Sequence, residues 1–146
     1  MRGVIQVTKS NVSERQASRL DVEGCRDAVV AFHEAIDRGE ATKASAYLAE
    51  DPIIQMAGQR RNGVAMAEFL SQREAQIDRH TAHIPLHMPV IASTEGSVTL
   101  GGRLMIVSRN TAGTYDIEHV LAVTHRLEKS TGVWLIAERT ASPIHP

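Results

Sequence analysis

Carboxylate and histidine side chains are the groups of this sequence most able to move protons. Asp37 falls in the last turn of a predicted helix, where the helix dipole disfavours a negative charge by about 0.3–1 kcal/mol. A partner would offset that cost, and the sequence offers two: His33, one helical turn earlier on an exposed face, and His83, on a later predicted strand. A carboxylate holds a paired imidazole in one tautomer, which suits general acid–base catalysis near neutral pH.

Two further groups of histidines could take part in chemistry. His80, His83 and His87 have a spacing found in some metal sites, but in a strand His80 points away from the other two, and no carboxylate matches them. We therefore expect no metal. His119 shares a predicted strand face with apolar residues, so it could be a second acid or base or could hydrogen-bond a substrate. A histidine satisfied by neighbours at the end of a strand is the alternative.

Tyr47, Cys25 and Gly101-Gly102 are of residue types that can form sites. Tyr47 could bring its hydroxyl to a pocket, although a tyrosine at helical spacing also suits half-buried packing. Cys25 lies in an apolar helix stripe without a base nearby in the sequence, so it is not expected to be a nucleophile. Gly101-Gly102 matches neither a dinucleotide-binding fingerprint nor a P-loop, and we expect no cofactor.

The composition is that of an ordinary soluble protein. The chain has 146 residues, of which 16 are basic and 17 acidic, so it lacks the basic excess that nucleic-acid binding requires. No apolar run approaches the roughly 18 residues of a membrane helix, and the apolar stretch at residues 4–7 is too short for a signal peptide. The single Cys25 fits a reducing compartment. These features predict a cytoplasmic protein that binds neither nucleic acid nor membrane.

The helices are predicted in the first half of the chain. Residues 1–20 are predicted to be an N-terminal arm and residues 21–146 a single domain. From Asp21, which could cap a helix, apolar residues recur at three- and four-residue spacing until Gly39. The following segment is predicted to contain a short helix over 41–48 that Pro52 stops, a strand over 53–56 and a helix from Asn62 to Ile77.

After residue 78 the pattern changes to strands, over 81–92, 97–109, 115–129 and 132–141. Helices followed by strands predict an α+β fold, with the helices on one face of a mostly antiparallel sheet. Residues 104–107, 120–123 and 133–137 are nevertheless apolar on both strand faces. Because the helices can cover only one face, a homodimer through the outer face is expected; packing by the N-terminal arm is the alternative.

Five segments resemble the SnoaL-like branch of the nuclear-transport-factor-2-like superfamily. They are residues 31–40 (AFHEAIDRGE), 48–51 (LAED), 61–63 (RNG), 79–83 (RHTAH) and 132–139 (GVWLIAER). The resemblance implies a cystatin-like α+β barrel, in which a strongly curved sheet forms a cone around a long N-terminal helix and two shorter ones, with a cavity between helix and sheet. The family includes polyketide cyclases, ketosteroid isomerases, scytalone dehydratase and non-catalytic proteins, so the fold alone does not select a function.

Individual positions narrow this choice. Phe32 and Met56 stand where ketosteroid isomerases have a tyrosine and the aspartate base, so the resemblance argues against that mechanism. Asp37 and His83 match an aspartate and a histidine that form a hydrogen-bonded pair in scytalone dehydratase. The two water-activating tyrosines of that enzyme correspond to Ile36 and Met56, so the rest of its site is not kept.

These observations predict a small-molecule pocket protein. The favoured function is a cofactor-free dehydratase or isomerase that acts on an apolar polyketide-, terpenoid-, steroid- or aromatic-type substrate through Asp37 and His83. The alternative is a non-catalytic dimeric module of the same fold that binds a ligand or stabilises a partner. The predicted pocket lining is Phe32, Ile36, Met56, Phe69, Leu104, Ile106, Leu121 and Val123.

Overall fold

Over residues 16–144, which the computed structural model describes, three helices pack against an open eight-stranded sheet. The helices are α1 (Arg19–Asp37), a 3₁₀ helix (Ala41–Tyr47) and α2 (Gly63–Ala75). The strands are β1 (Leu48–Met56), β2 (Gln59–Arg61), β3 (Thr81–His87), β4 (Val90–Thr94), β5 (Ser97–Leu100), β6 (Arg103–Arg109), β7 (Tyr115–Ser130) and β8 (Val133–Pro143). Most of the predicted N-terminal arm lies outside the described residues.

Helix α1 begins before the predicted position. Ser18, and not Asp21, is its N-cap: the Ser18 hydroxyl accepts from the backbone N–H of Asp21 at 3.1 Å, and the Asp21 carboxylate accepts from the backbone N–H of Ser18 at 3.4 Å. This reciprocal arrangement is a capping box, which satisfies two N–H groups at once. Asp21 also accepts a hydrogen bond from Trp134 Nε1 at 3.1 Å, which ties the start of α1 to β8.

The end of α1 matters most for function, because it carries Asp37. Gly39, with φ of +81°, follows the last turn, and the backbone N–H of Glu40 returns to the carbonyl of Ala35 at 2.9 Å. A left-handed glycine here lets the chain reverse without a Cβ clash. The helix therefore stops with Asp37 in its final position, as the sequence predicted.

The other helices differ in detail from the predicted ones. The segment after Gly39 is a 3₁₀ helix, and Pro52 lies inside β1, whose pairing with β8 is irregular between Leu48 and Ile53. Helix α2 is capped by Asn62 as predicted but ends at Ala75, and Ile77 is exposed. An exposed Ile77 has no apolar surface against which a further turn could pack.

The sheet is mixed. Strands follow the order β2-β1-β8-β7-β5-β4, while β6 pairs with the other half of β7 and β3 pairs with β6. The pairing of β1 with β8 is parallel and the other pairings are antiparallel. Two of the four predicted strands are each divided in two, the second of them at Gly101-Gly102. The α+β class and the mostly antiparallel plan are confirmed.

The hydrophobic core lies between α1 and the sheet. Cys25, Val29 and Phe32 of α1 are buried against β5, β7 and β8, where Leu100, Leu127 and Ile136 are fully enclosed. The core extends to Ala35 and Ile36 in the last turns of α1. A cavity lined in part by Phe32 and Ile36 opens beside these turns.

Apolar side chains remain exposed outside the cavity. Ile84 and Leu86 of β3 are 38% and 53% exposed, and Ile117 of β7 is 63% exposed. Alternation along β3 places Ile84 and Leu86 on the side opposite to His83. This arrangement is consistent with a dimer face, and the homodimer stays a prediction. No helix within residues 16–144 is long and apolar enough to cross a membrane.

The junction between β5 and β6 requires a glycine at position 102. Gly102 has φ of +125°, and a Cβ there would lie 1.7 Å from the carbonyl oxygen of His87. Gly102→Ala is therefore expected to lower the free energy of unfolding by about 1–3 kcal/mol, measured by urea denaturation. Gly96→Ala is the matched control, because a Cβ there meets no atom within 4 Å. Equal losses in the two variants would contradict the assigned geometry.

Candidate active site

Asp37 and His83 meet at the wall of the cavity. His83 Nδ1 lies 2.7 Å from Asp37 Oδ1, and the backbone N–H of His83 donates to Asp37 Oδ2 at 2.8 Å. The two side chains are 18% and 13% exposed. The alternative partner, His33, is buried rather than exposed, and its Nδ1–H donates to the carbonyl of Val29 at 2.9 Å. Of the two candidates, His83 is therefore the one that pairs with Asp37.

The surroundings of Asp37 keep the carboxyl group ionised. Thr81 Oγ1 donates to Asp37 Oδ1 at 2.8 Å, so the carboxylate accepts three hydrogen bonds in all. Burial raises the pKa of Asp37, but the hydrogen bonds and charge of His83 and the hydroxyl of Thr81 outweigh burial and lower the pKa below its ordinary value. An ionised Asp37 is a hydrogen-bond acceptor only, so the proton of this pair lies on His83 Nδ1.

A second layer of contacts positions Thr81. The buried Arg73 of α2 donates through Nη2 to Thr81 Oγ1 at 3.0 Å and to the carbonyl of Arg79 at 3.2 Å. Thr81 thus accepts from Arg73 and donates to Asp37. A chain of hydrogen bonds leads from α2 to His83, and it fixes the orientation of the imidazole. His83 Nε2 has no hydrogen-bond partner among the described residues and can exchange a proton with a bound molecule.

The cavity beside this pair has a volume of about 390 Å³. That size lies near the lower end of the range of about 300–1,000 Å³ for small-molecule sites. Six of the predicted lining residues line it: Phe32, Ile36, Met56, Phe69, Ile106 and Leu121. His83 and His119 line it as well, so the cavity joins apolar surface to groups that can move protons.

Three predicted positions are not part of the lining. Leu104 and Val123 are buried in the sheet and Tyr47 packs against the hydrophobic core. Strand alternation predicted correctly that Leu104 and Val123 face the helices. It could not predict that they lie in the packed part of the sheet and not beside the cavity. The 3₁₀ geometry of residues 41–47 directs Tyr47 into packing, so its proposed contact with the cavity is corrected.

Beneath the pair lies a buried polar cluster that the sequence did not reveal. The rings of His33 and His83 are 4.9 Å apart, and those of His33 and His125 are 5.8 Å apart. Arg139 of β8 donates through Nε to His125 Nε2 at 3.2 Å, and its Nη2 lies 3.4 Å from His33 Nε2. Burial and the charge of Arg139 lower the pKa of His33 well below its ordinary value and that of His125 to about 3. Both imidazoles are therefore neutral.

The mouth of the cavity carries an ion pair. Arg79 donates to both carboxylate oxygens of Glu118, at 3.0 and 2.7 Å, and this contact lowers the pKa of Glu118 to about 2. His119 Nε2 lies 3.7 Å from Glu118 Oε1, and half of the His119 side chain is exposed. His119 is thus available at the mouth to a ligand, but it has no contact with Asp37 or His83 among the described hydrogen bonds.

Two other kinds of site have little support in the structure. Cys25 is buried in the core, where burial raises the pKa of its thiol to about 12. So high a pKa leaves almost no thiolate for nucleophilic attack. Within residues 16–144, no three His, Cys, Asp or Glu side chains are grouped so that they could hold a metal ion.

Comparison with known proteins identifies the family. A model of the SnoaL-like domain matches residues 17–140, which is most of the chain. The chain belongs to the SnoaL-like domain family. The resemblance inferred from the sequence is confirmed, and the SnoaL-like match includes α1, β3 and the part of β8 that carries Arg139. No curated protein matches the chain in sequence.

Solved structures show the same fold at low sequence identity. An NTF2-like protein with a cystatin-like fold from Novosphingobium aromaticivorans is 20% identical, with a TM-score of 0.74 over 85% of this chain and 82% of its own. Aln2 from a Streptomyces species is 15% identical, with a TM-score of 0.77 over 88% and 94% of the two chains. A protein from Catenulispora acidiphila, in complex with S-DNPA, is 13% identical, with a TM-score of 0.74 over 85% and 93%. At these identities the likeness establishes the SnoaL-like fold alone.

Proposed function

We propose that the chain is an enzyme that removes water from, or isomerises, a small and largely apolar hydroxylated carbonyl compound. The observation that carries this proposal is the hydrogen bond of 2.7 Å between Asp37 and His83 Nδ1 on the wall of the cavity. An imidazole whose Nδ1–H is held by a carboxylate presents Nε2 as a base, and the carboxylate then stabilises the imidazolium that forms. No other His–carboxylate contact of the described residues has this geometry at the cavity.

Dehydration of a β-hydroxy ketone needs one proton removed and one returned. His83 Nε2 takes the proton from the carbon beside the carbonyl, and the electron pair of that C–H bond forms the enolate. The enolate then expels the hydroxyl group, which receives the proton from His83 and leaves as water, so a C=C bond replaces the C–H and C–O bonds. Asp37 stays ionised throughout and acts as a positioning residue.

The lining suggests the substrate class. Phe32, Ile36, Met56, Phe69 and Leu121 supply apolar and aromatic surface, which favours a polyketide-, terpenoid-, steroid- or aromatic-type molecule over a sugar. The cavity volume favours a molecule of about two fused rings. The Catenulispora acidiphila protein of the same fold was solved in complex with S-DNPA, which is consistent with a ligand-binding role for this chain.

A bicyclic β-hydroxy ketone provides the test. The purified protein is expected to convert 3-hydroxy-1-tetralone to 1-naphthol and water faster than the uncatalysed reaction, followed by the absorbance and fluorescence of the naphthol. A racemic sample should show selectivity for one enantiomer, because His83 approaches from one wall of the cavity. If the compound binds, shown by calorimetry, but its dehydration is not accelerated for either enantiomer, the dehydratase proposal fails.

The second candidate is a non-catalytic dimeric module that binds a ligand or stabilises a partner. The exposed Ile84, Leu86 and Ile117 favour a role for the outer face of the sheet in assembly. Binding without turnover would support this candidate, and sedimentation would then establish whether the chain is a dimer. His119, exposed at the mouth, remains a candidate hydrogen-bond donor to the ligand in either case.

A further inference from the structure

Arg139 is a buried cation without a counterion. It is 4% exposed, and its Nη1 has no hydrogen-bond partner among the described residues. Its other contacts are to His125 Nε2 and His33 Nε2. No carboxylate of residues 16–144 forms an ion pair with it. Burial lowers the pKa of Arg139 to about 10, so the side chain is still charged at pH 7. An uncompensated charge in the interior costs much free energy, so its retention calls for an explanation.

The two histidines cannot neutralise this charge. His33 Nδ1–H donates to the carbonyl of Val29, so His33 Nε2 can only accept from Arg139. His125 likewise accepts through Nε2, which places its proton on Nδ1, and that atom also has no partner among the described residues. The cluster therefore keeps a net positive charge and two unused donors. It lacks an acceptor.

Arginine side chains contribute much of the polar lining of the cavity. Arg139 lines the cavity with Arg61, Arg73 and Arg79, and none of the described lining residues is acidic. Arg79 is paired with Glu118. Burial and the charge of Arg79 lower the pKa of Arg73, and the nearby charges of Asp37 and Glu118 oppose part of this effect. Arg61 lies over the ring of Phe69 and is only partly buried. Of these four, Arg139 is the fully buried one that no carboxylate of the described chain offsets.

We propose that the ligand of this cavity is a small organic acid whose carboxylate pairs with the guanidinium of Arg139. A guanidinium matches a carboxylate in shape and hydrogen-bond geometry, and the apolar remainder of the lining suits a hydrophobic acid better than a phosphate ester. Arg139 is charged near neutral pH throughout any reaction, so an anion present in the ground state matches it better than one formed only during a reaction. Because His33 contacts both Arg139 and the ring of His83, an acid anchored at Arg139 lies within reach of His83.

This inference rests on the proposed function only in that both concern the same cavity. Because binding can be measured without turnover, the two can be tested separately. We would titrate 2-naphthoate and 2-naphthamide, which share their shape but differ in charge, into the protein at pH 7.5 by calorimetry. Wild type is expected to bind the acid at least about 10-fold more tightly than the amide. Arg139→Met should reduce this preference to about 2-fold or less, while Arg61→Met, which removes a partly exposed charge from the same lining, should keep most of it.

A second measurement covers the case in which Arg139→Met does not fold. The side-chain ¹⁵N–¹H resonances of Arg139 in the wild-type protein should shift on addition of naphthoate and stay in place with naphthamide. Failure of wild type to bind naphthoate, equal binding of acid and amide, or an equal loss in Arg61→Met and Arg139→Met would each overturn the proposal. His83→Gln separates it from the proposed function, since this variant should bind naphthoate normally even though it is expected to lose turnover.

Discussion

Replacement of His83 by glutamine is expected to lower the rate of tetralone dehydration by about 10²–10⁴-fold, the usual contribution of a positioned general base. The amide of glutamine fills a similar space but cannot take a proton at neutral pH. Because His83 Nε2 is the atom that has no partner among the described residues, the effect should fall mainly on kcat and leave KM almost unchanged. Steady-state kinetics with 3-hydroxy-1-tetralone would measure both constants.

Two further variants show whether His83 acts through the pair. His87→Gln makes the same chemical change at an exposed position of the same strand, outside the cavity lining, and should leave both constants unchanged. Asp37→Asn should lower kcat by at least about 10-fold and reduce the population of the Nδ1–H tautomer of His83, observed through its ring ¹⁵N shifts. Full activity of His83→Gln, or an Asp37→Asn variant that loses activity while the tautomer persists, would refute the assigned roles.

The protein is expected to lose stability steeply between pH 6.5 and pH 5. His33 and His125 stay neutral in the folded protein because burial, and then the charge of Arg139, lower the pKa of both. In the unfolded chain they take up protons near pH 6.5, so the unfolded state binds more protons below that value and stability falls with falling pH. Each histidine contributes up to about 1.4 kcal/mol per pH unit, and together they could remove up to about 4 kcal/mol by pH 5.

Urea denaturation at pH 7.5, 6.5, 5.8 and 5.0 would measure this loss. His125→Gln should reduce the dependence on pH by about half, since one of the two titrating groups is removed, whereas the exposed His80→Gln should not change it. Carboxyl groups with a lowered pKa also destabilise the protein as pH falls, but only as pH approaches their ordinary values of 3.8 for Asp and 4.5 for Glu; Asp37 and Glu118 are two of them. A pH dependence that is unchanged in His125→Gln would mean that this histidine is not held neutral.

The pairing of Asp37 with His83 could be foreseen because local signals fixed one partner. Gly39 ends α1 where the sequence indicated, so Asp37 had to lie in the last turn, and the match of residues 79–83 to the family supplied His83. The fold class followed from the change of periodicity after residue 78. In contrast, the parallel pairing of β1 with β8 joins segments far apart in the chain, and no local pattern indicates it.

Arg139 was missed because its surroundings are created by the fold. In the sequence it follows Glu138 near the end of a strand, where an arginine usually reaches solvent. The irregular pairing of β7 with β8 between Arg126 and Leu127 changes which residues of β8 face inward. Simple alternation does not anticipate such a shift. Similarly, alternation indicated which face of the sheet carries Leu104 and Val123. Whether a residue on that face lies in the core or beside the cavity depends on how the helices pack against it.

The parallel contact between β1 and β8 also has a consequence for the order in which the protein forms. Ile54 of β1 lies opposite Arg139 of β8, although the two come from early and late parts of the chain. During synthesis β1 leaves the ribosome well before β8 exists, and closing such a long loop slows folding. Until β8 is made, β1 can pair only with β2, so its other edge stays open to pairing with the strands of another chain.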